Sequence, residues 1–235
     1  MSEQFTELRI GDLVLYKNNQ LIAFNKPSGL GVQPDKTDSK SLLDLAEIYS
    51  HSKLNVVHRL DRTASGVVLF AKTRTSLVSI NEQFRERRVA KTYLAVVQNR
   101  PEKDEDTLVH FITKDGRKNL SSVKDADLPQ GQKAELSYTY RGSIDRYHLL
   151  EVQLITGRHH QIRAQLAAIG CPIKGDTKYG FARSNRDRSI HLHAWKLAFD
   201  HPVSGERVTI QAPLPPDPVW NAFLEADPSL NPAAE

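Results

Sequence analysis

Eight short segments rich in β-branched and aromatic residues constrain the fold of this 235-residue chain most strongly. Glycine, proline or charged clusters bound the segments, which is the pattern expected of β-strands. The predicted strands are residues 13–16, 21–25, 65–71, 91–97, 136–140, 147–155, 191–199 and 207–211. Residues 147–155 alternate in part between apolar and polar side chains, as a half-buried strand should.

Helical patterns are fewer and fall between the predicted strands. Apolar side chains repeat at helical spacing in 77–84 and in 162–169, where Gly170 supplies a C-terminal stop. Residues 41–48 and 218–225 are predicted as two further short helices. Because strands and helices do not alternate strictly, we expect an α+β fold with a mixed, largely antiparallel sheet and flanking helices and loops. No composition shift marks a boundary, so residues 1–235 are expected to form one domain.

The composition limits the class of protein without fixing it. The chain has 32 Lys+Arg and 28 Asp+Glu, and a net charge of +4 suits a polyanionic partner without establishing one. Cys171 is the only cysteine, which excludes an intrachain disulfide and a cysteine-rich metal site. No apolar run approaches the ~20 residues that span a bilayer. The N-terminus lacks the features of a secretory signal, so we expect a cytoplasmic protein without membrane contact. The sequence is silent on oligomeric state, and a monomer is the default expectation.

Two polar stretches and the C-terminal tail are expected to lie outside regular structure. Residues 99–106 are charged, and residues 114–133 are rich in Lys, Asp, Ser and Gly, so both are predicted as solvated loops. Residues 227–235 contain two prolines and two alanines, and this tail is predicted to be flexible.

The segment with the most chemical information, residues 55–66, contains a single acidic residue. Asp61 is flanked by His58, Arg59 and Arg62, and cationic neighbours favour an ionised carboxylate. On the residues alone, a structural ion pair in a turn is the more frequent explanation, because ion-pair networks perturb carboxylates too.

Residues 58–61, His-Arg-Leu-Asp, followed by Ser65 and Gly66, resemble the central motif of the RluA-type pseudouridine synthases. In that family the Asp of this motif, here Asp61, is the catalytic residue. The family usually has Thr directly before the Ser-Gly pair. This chain has Ala64 there, which removes a supporting hydroxyl but not the carboxylate.

Further segments resemble family motifs, and they occur in the family's order. Residues 25–30 resemble the first motif, a turn in which proline fixes φ and glycine frees it. Residues 91–95 resemble the segment whose tyrosine, here Tyr93, packs against the target base. Residues 157–163 resemble the motif whose last arginine, here Arg163, pairs with the catalytic Asp. Four ordered motifs are far less frequent by chance than any one alone.

Downstream, residues 175–180 and 191–194 also resemble family segments, so the similarity runs from about residue 21 to residue 213. Many relatives carry a separate N-terminal RNA-binding module. Only about twenty residues precede the first motif here, so a stand-alone catalytic domain is expected. Such a domain would recognise RNA through its own surface, including residues 114–133.

The resemblance implies an enzyme that isomerises specific uridines to pseudouridine in structured ribosomal or transfer RNA. The reaction needs no redox step and no group donor, so no cofactor and no metal are expected. Asp61 would act as the nucleophile at the anomeric carbon or as the base at the ribose 2′ position, and both routes stay open. Arg163 would hold Asp61 through a bidentate pair. Tyr93 would stack on the base and help to remove the proton at its carbon 5.

The remaining substrate-binding residues implied by the resemblance are His58, Arg59, Leu60, Lys91, His160 and Gln161. The target uridine has to leave its stack to be reached, so Arg59 or His58 is expected to fill the vacated space. Stacking and recognition of loops are the usual modes of binding for RNA.

Each of these residues also has a structural explanation. Tyr93 could be a core aromatic of a strand, the more frequent fate of such a residue. Arg163 could be a solvated helix charge, although it lies one turn after His159 and is expected to share a helix face with it. The charged run 85–88 is predicted to be a solvated helix end and not an RNA contact.

Two other functions compete with catalysis on RNA. The first is an RNA-binding relative of the same family without activity, which the Ala64 departure alone favours. The second is a metal-dependent hydrolase, suggested by His58 with Asp61, the pair 159–160, and His191 with His193. Adjacent histidines on a helix point about 100° apart, which is poor for shared ligation. His191 and His193 share a strand face but have no third ligand at a recognised spacing.

Overall fold

The computed structural model describes residues 9–34, 40–117, 119–124 and 131–232. The strands within these ranges are β1 (Val14–Lys17), β2 (Leu21–Lys26), β3 (Asn55–Val56), β4 (Ser65–Ala71), β5 (Ala90–Val97), β6 (Glu105–Asp115), β7 (Leu120–Lys124), β8 (Gln132–Ile144), β9 (Tyr147–Leu154), β10 (Leu192–Asp200) and β11 (Arg207–Gln211). The α-helices are α1 (Leu42–Ser50), α2 (Arg74–Arg85), α3 (Gln161–Ala168) and α4 (Pro218–Ala226).

All of these strands belong to one mixed sheet, in the order β1-β2-β4-β10-β5-β9-β8-β6-β7. Strand β3 pairs with β4, and β11 pairs with β10. Among the described strands, only β4 and β10 run parallel to each other. The predicted α+β class with a largely antiparallel sheet is therefore confirmed.

The parallel pairing joins two halves of the sheet through two residue pairs, His193 with Ser65 and Ala194 with Gly66. Gly66 has a φ of 113°, and a β-carbon at this position would collide with the carbonyl oxygen of Ala194. Glycine is therefore required here, because only it adopts this φ readily and lets the two backbones approach so closely. Residue 61 lies just before β4 in one half, and Tyr93 lies on β5 in the other.

Local sequence sets the helix boundaries. Ser41 and Asp44 form a reciprocal capping box at the start of α1. Thr73 caps α2 by accepting a hydrogen bond from the backbone N–H of Ser76, and Asp217 caps α4, whose first residue is Pro218. The helices cover the sheet, and every residue of β4 is buried. Continuous burial explains why this strand reads as an unbroken run of small and apolar residues.

The prediction of solvated loops is wrong for parts of both stretches, 99–106 and 114–133. Strand β6 begins at Glu105, and β7 lies inside the stretch predicted as a loop. These two strands form an antiparallel ribbon at the sheet edge, where few side chains are buried: in β6 they are Leu108 and Ile112. Because one face of the ribbon meets solvent, its composition resembles that of a loop. Residues 118 and 125–130 lie outside the described residues.

The tail from residue 227, which the sequence predicts to be flexible, has regular structure as far as residue 230. Asp227 caps a short 3-10 helix, Pro228–Leu230, and Leu230 is fully buried. The indole Nε1 of Trp195 donates a hydrogen bond to the Leu230 carbonyl at 3.0 Å. A core tryptophan thus anchors the tail, a contact that its polar composition does not indicate. Residues 233–235 lie outside the described part of the chain.

No helix in the described ranges is both long and apolar enough to cross a membrane.

Candidate active site

All nine predicted site residues line one cavity of about 300 Å³. They are His58, Arg59, Leu60, Asp61, Lys91, Tyr93, His160, Gln161 and Arg163. We call this space the tyrosine cavity, because Tyr93 lies in its wall together with the apolar side chains of Leu60 and Ile162. The structure brings these residues together from four separate segments: the loop before β4, the start of β5, the turn before α3, and α3 itself.

The Asp61 carboxylate is held by the buried guanidinium of Arg163. The Nη1 of Arg163 donates to Oδ2 of Asp61 at 2.9 Å. The predicted bidentate pair, however, forms with another carboxylate: Nε and Nη2 of Arg163 donate to the two oxygens of Asp176 at 2.6 and 2.8 Å. Arg163 therefore contacts Asp176 through Nε and Nη2 and contacts Asp61 through Nη1 alone, so the expectation of a bidentate Asp61 pair is wrong.

Asp176 is a site residue that sequence reasoning missed. It is 1% exposed, and a buried carboxylate needs a charged or hydrogen-bonding partner. Burial alone would lower the pKa of Arg163, but the hydrogen bonds and charges of Asp176 and Asp61 outweigh burial and raise it. Arg163 is therefore a permanent cation between two carboxylates. The only sequence signal for Asp176 was its place in the family-like segment 175–180.

The loop that carries Asp61 is fixed by Lys26, whose side chain is fully buried. Its Nζ donates to the carbonyl oxygens of Pro27 and Leu30, each at 2.9 Å, and of Ala64 at 2.6 Å. Burial lowers the pKa of Lys26 to about 7, and the nearby charge of Asp61 acts in the opposite direction. These carbonyls satisfy the three donors of an ammonium group, so the motif at 25–30 ties down the loop around residue 61.

Tyr93 belongs to the core and to the cavity wall at once. It is 9% exposed and packs in the main apolar cluster, and it also lines the tyrosine cavity. Burial, followed by the charge of Asp61, raises the pKa of the Tyr93 phenol. Its hydroxyl makes no hydrogen bond within the described residues, so the group is free to meet a ligand as a neutral phenol.

His58 is not the cationic neighbour of Asp61 that the sequence suggested. Burial lowers the pKa of His58 to about 4, so the ring is neutral at neutral pH. Its Nε2 accepts a hydrogen bond from the backbone N–H of Leu69 at 3.1 Å. His58 therefore fixes the loop against β4, and the cations near Asp61 are arginines.

Lys91 and Gln161 line the cavity in different ways. Burial lowers the pKa of Lys91 to about 8, with a smaller effect in the same direction from Arg87. The Oε1 of Gln161 accepts from Thr156 Oγ1 at 2.7 Å and from the Arg158 N–H at 2.9 Å. Because the protein occupies both positions on this oxygen, Gln161 shapes the turn before α3.

The expected placement of His159 on a helix is wrong. Helix α3 begins at Gln161, and His160 precedes it in a left-handed conformation with a φ of 52°. This turn stacks the two histidine rings with their centroids 3.8 Å apart. His159 and Arg163 consequently do not share a helix face. The Nε2 of His160 lies 3.6 Å from Oδ2 of Asp61.

A second cavity of about 700 Å³ meets the first at Asp61. We call it the basic cavity, because its wall includes four Lys or Arg side chains besides Arg163: Arg59, Arg62, Lys114 and Lys178. Asp61 is the only carboxylate among its described lining residues. The two cavities share Arg59, Leu60, Asp61, His160 and Arg163.

The other histidines considered as metal ligands bond to protein groups. His191 Nε2 lies 2.9 Å from Oδ1 of Asp217, and His193 Nδ1 lies 2.8 Å from Oγ of Ser65. In the ranges that the structure describes, no group of three or more His, Cys, Asp or Glu is arranged to hold a metal ion.

The structure combines a mixed sheet with a small cavity that is lined by Asp61, by Arg163, which contacts it, and by Tyr93. These are the features that the sequence motifs predict for this class of protein. The family described as RNA pseudouridylate synthase matches residues 20–168. The chain belongs to this family. The predicted family and the predicted enzyme class, an isomerase acting on RNA, are therefore confirmed.

Individual relatives agree with this assignment. The chain is 34% identical over 209 residues to ribosomal large subunit pseudouridine synthase C of Rickettsia bellii, covering 87% of this chain and 69% of the relative. It is 31% identical over 212 residues to the RNA pseudouridine synthase YhcT of Bacillus subtilis, with 87% and 69% covered. The solved structure of human RNA pseudouridylate synthase domain containing 4 superposes with a TM-score of 0.74 at 25% identity, covering 92% of this chain and 93% of that one.

Proposed function

We propose that this protein converts uridine to pseudouridine in ribosomal RNA, with Asp61 as the catalytic carboxylate. The observation that carries the proposal is the state of Asp61. Its Oδ2 is held by Arg163, whereas its Oδ1 has no hydrogen bond within the described residues, and Asp61 lines the tyrosine cavity. A carboxylate with one oxygen anchored and the other open can act on a sugar placed in that cavity.

The reaction is an isomerisation, so its atoms balance without a co-reactant. The bond between the anomeric carbon and nitrogen 1 of uracil breaks, and the base turns over. A bond then forms from the same sugar carbon to carbon 5, and the proton on carbon 5 leaves as the nitrogen gains one. Glycosidases of the usual kind need two carboxylates, because water replaces the leaving group. Here the base remains bound and is reused, so one carboxylate suffices.

Asp61 fits two routes through this reaction. As a nucleophile, its open oxygen would attack the anomeric carbon and hold the sugar while the base turns. As a base, the same oxygen would remove the proton at the ribose 2′ position. Both routes need a carboxylate at a fixed position, which the hydrogen bond from the buried Arg163 supports.

The tyrosine cavity is suited to a base taken out of its stack. Its wall offers the Tyr93 ring and the apolar side chains of Leu60 and Ile162. Flipped bases are typically bound by aromatic and apolar stacking in a closely fitting pocket. Burial keeps the Tyr93 phenol protonated, so we propose that it contacts uracil as a neutral ring before any role in proton removal.

The basic cavity is suited to the RNA strand that flanks the target. Its Arg and Lys side chains are the groups that neutralise phosphates. Arg59 borders both cavities, so it is positioned to fill the space that a flipped uridine leaves. The names of the relatives favour ribosomal over transfer RNA as the substrate. We further propose that the protein acts as a monomer in the cytoplasm.

The test is tritium release from ribosomal RNA labelled at carbon 5 of uridine. The Asp61→Asn variant keeps the size of the side chain and is expected to lose at least about 100-fold in turnover, the lower range for a positioned acid–base group. Asp145→Asn, at an exposed turn between β8 and β9, is the matched control and should match the unchanged protein. Substantial turnover by Asp61→Asn would sink the assignment. Site-by-site pseudouridine mapping in a strain lacking the gene would identify the uridine.

A further inference from the structure

Tyr179 lies beside the Asp61–Arg163 pair but does not line the tyrosine cavity. It ends the short 3-10 helix Thr177–Tyr179, which directly follows Asp176. The guanidinium of Arg163 lies 4.9 Å from the centre of the Tyr179 ring. The ring also meets His160 edge-on, with centroids 5.6 Å apart and planes at 82°. One tyrosine side chain thus contacts both residues that approach Oδ2 of Asp61.

The hydrogen bonds of the Tyr179 hydroxyl determine where its proton points. The backbone N–H of Ser121 donates to this hydroxyl at 2.9 Å. The other partner is Nδ1 of His160, also at 2.9 Å. If Tyr179 donates to Nδ1, its hydroxyl both accepts one hydrogen bond and donates another. If His160 donated instead, the phenolic proton would have no acceptor among the described residues, which is unfavourable for a half-buried group.

These hydrogen bonds favour the tautomer in which His160 accepts at Nδ1 and carries its proton on Nε2. That nitrogen lies 3.6 Å from Oδ2 of Asp61, the oxygen that Arg163 also contacts. In this tautomer an N–H dipole points at the carboxylate, whereas the other tautomer would oppose a lone pair to it. Burial lowers the pKa of His160 to about 3, so the ring is neutral and its tautomer alone decides the sign of this interaction.

The neighbouring histidine is held in the opposite tautomer by the same serine. The Oγ of Ser121 donates its only proton to the carbonyl oxygen of His159 at 2.6 Å. It can then only accept from Nδ1 of His159, which lies 2.9 Å away. Ser121 lies on β7, so a ribbon at the edge of the sheet fixes the protons on both stacked rings.

We propose that Tyr179 is a positioning residue, which directs the Nε2 proton of His160 toward the carboxylate of Asp61. The inference rests on the proposed role of Asp61. Tyr179 acts through His160 and touches no reacting atom. Its hydroxyl should therefore affect turnover while leaving RNA affinity unchanged.

The direct test is nitrogen-15 NMR of histidine-labelled protein, with the His160 signals assigned by their absence in His160→Gln. The native protein should show a protonated Nε2 and an unprotonated Nδ1. Tyr179→Phe keeps the ring beside Arg163 but removes the hydroxyl, and should shift His160 toward a mixture of tautomers. Tyr49→Phe, another half-buried tyrosine, should leave the His160 signals unchanged. A native His160 with its proton on Nδ1 would overturn the proposal.

Kinetics then separate positioning from a general structural role. Tyr179→Phe should lower kcat by roughly tenfold, the order expected for one hydrogen bond near a charge, with KM unchanged. His160→Gln places an amide donor near the position of Nε2 whatever residue 179 is. In that background Tyr179→Phe should therefore cost little more. An equal loss in both backgrounds would show that Tyr179 does not act through His160.

The Asp61→Asn and Tyr179→Phe variants together distinguish an error in the role of Tyr179 from an error in the proposed function. If Asp61→Asn retains turnover, the assignment of the carboxylate is wrong, whatever residue 179 does. If Asp61→Asn is inactive while Tyr179→Phe keeps its kcat, only the role of Tyr179 is wrong.

Discussion

The tyrosine cavity and the basic cavity meet at the same carboxylate, yet they differ in size and lining. The smaller cavity, about 300 Å³, has an aromatic and apolar wall around Asp61. The larger one, about 700 Å³, has cationic side chains from the loop that carries Asp61, from β6 and from the 3-10 helix at Thr177–Tyr179. Under the proposed function, Asp61 lies between a cavity that binds the unstacked base and a cavity that binds phosphates. We therefore expect catalysis and RNA binding to be affected by different substitutions.

The largest expected effect concerns the wall that both cavities share. Asp176→Asn removes the bidentate partner of Arg163 and leaves a buried cation with one carboxylate. Breaking a buried ion pair in this way costs about 3 kcal/mol or more in the free energy of unfolding. Urea denaturation measures it, with Asp104→Asn, an exposed member of a surface pair, as the control. Equal stability of the two variants would mean that Asp176 does not hold the wall.

The next effect concerns the tyrosine cavity alone. Tyr93→Ala removes the aromatic face and should weaken binding of target RNA by about tenfold or more, the usual consequence of losing one stacked base. Tyr93→Phe keeps the ring and should bind RNA like the unchanged protein. Gel-shift titration of both folded variants measures this difference. Equal affinities for Ala and Phe at this position would argue against stacking on Tyr93.

A pH effect should come from the neutral histidines of the tyrosine cavity. Burial lowers the pKa of His58 to about 4 and that of His160 to about 3, below the model-compound value of 6.5. Between pH 6.5 and about 4 the unfolded chain therefore binds more protons, so stability is lost as the pH falls. The slope is at most about 1.4 kcal/mol per pH unit for each histidine.

Urea denaturation at pH 7.0 and at lower pH values tests this effect. His51→Asn removes an exposed histidine at a left-handed position that asparagine tolerates, and should leave the pH profile unchanged. A flat stability between pH 6.5 and pH 4.5 would contradict neutral, buried histidines.

The smallest expected effect concerns the basic cavity alone. Lys114 lies exposed on β6 at its wall, so Lys114→Ala should weaken RNA binding by about threefold and reduce the salt dependence of binding by about one counterion. Single-turnover kcat at saturating RNA should not change. Lys103→Ala, an exposed lysine paired with Asp106 outside both cavities, is the control. A lower kcat with an unchanged salt dependence of binding would show that the two cavities do not act separately.

The strands that were predicted most accurately are those in which the local pattern is complete. Residues 65–71 and 207–211 were predicted at their observed bounds, since β-branched runs end there at charged residues, turns or glycine. The ribbon β6–β7 was missed, because its solvent-facing residues match the composition of a loop. The pattern of one strand cannot reveal that Ser121, a small polar residue, is buried against the turn before α3.

The residues of the candidate site were also predicted only in part. The nine site residues that the motifs predict all line one cavity, although their catalytic and binding roles stay predictions. Asp176 and Tyr179 were missed as site residues, because their contacts with Arg163 and Ser121 form only in three dimensions. Arg163 itself was predicted to face Asp61 with two N–H groups. The sequence does not indicate that a second carboxylate, thirteen residues along the chain, takes that edge.

The two-pair junction between β4 and β10 has a consequence for how the enzyme can be altered. Asp61 lies in the loop before β4, in one half of the sheet, while Tyr93 lies on β5 in the other half and Arg163 lies on α3, which packs against β6 and β7 of that half. The halves meet where Gly66 lies against Ala194. Any side chain at residue 66 would clash with the Ala194 backbone and push the two halves apart. The distance between the Asp61 carboxylate and the Arg163 guanidinium therefore depends on how closely β4 and β10 pack. A substitution that separates these two strands can abolish activity even though every active-site residue is unchanged.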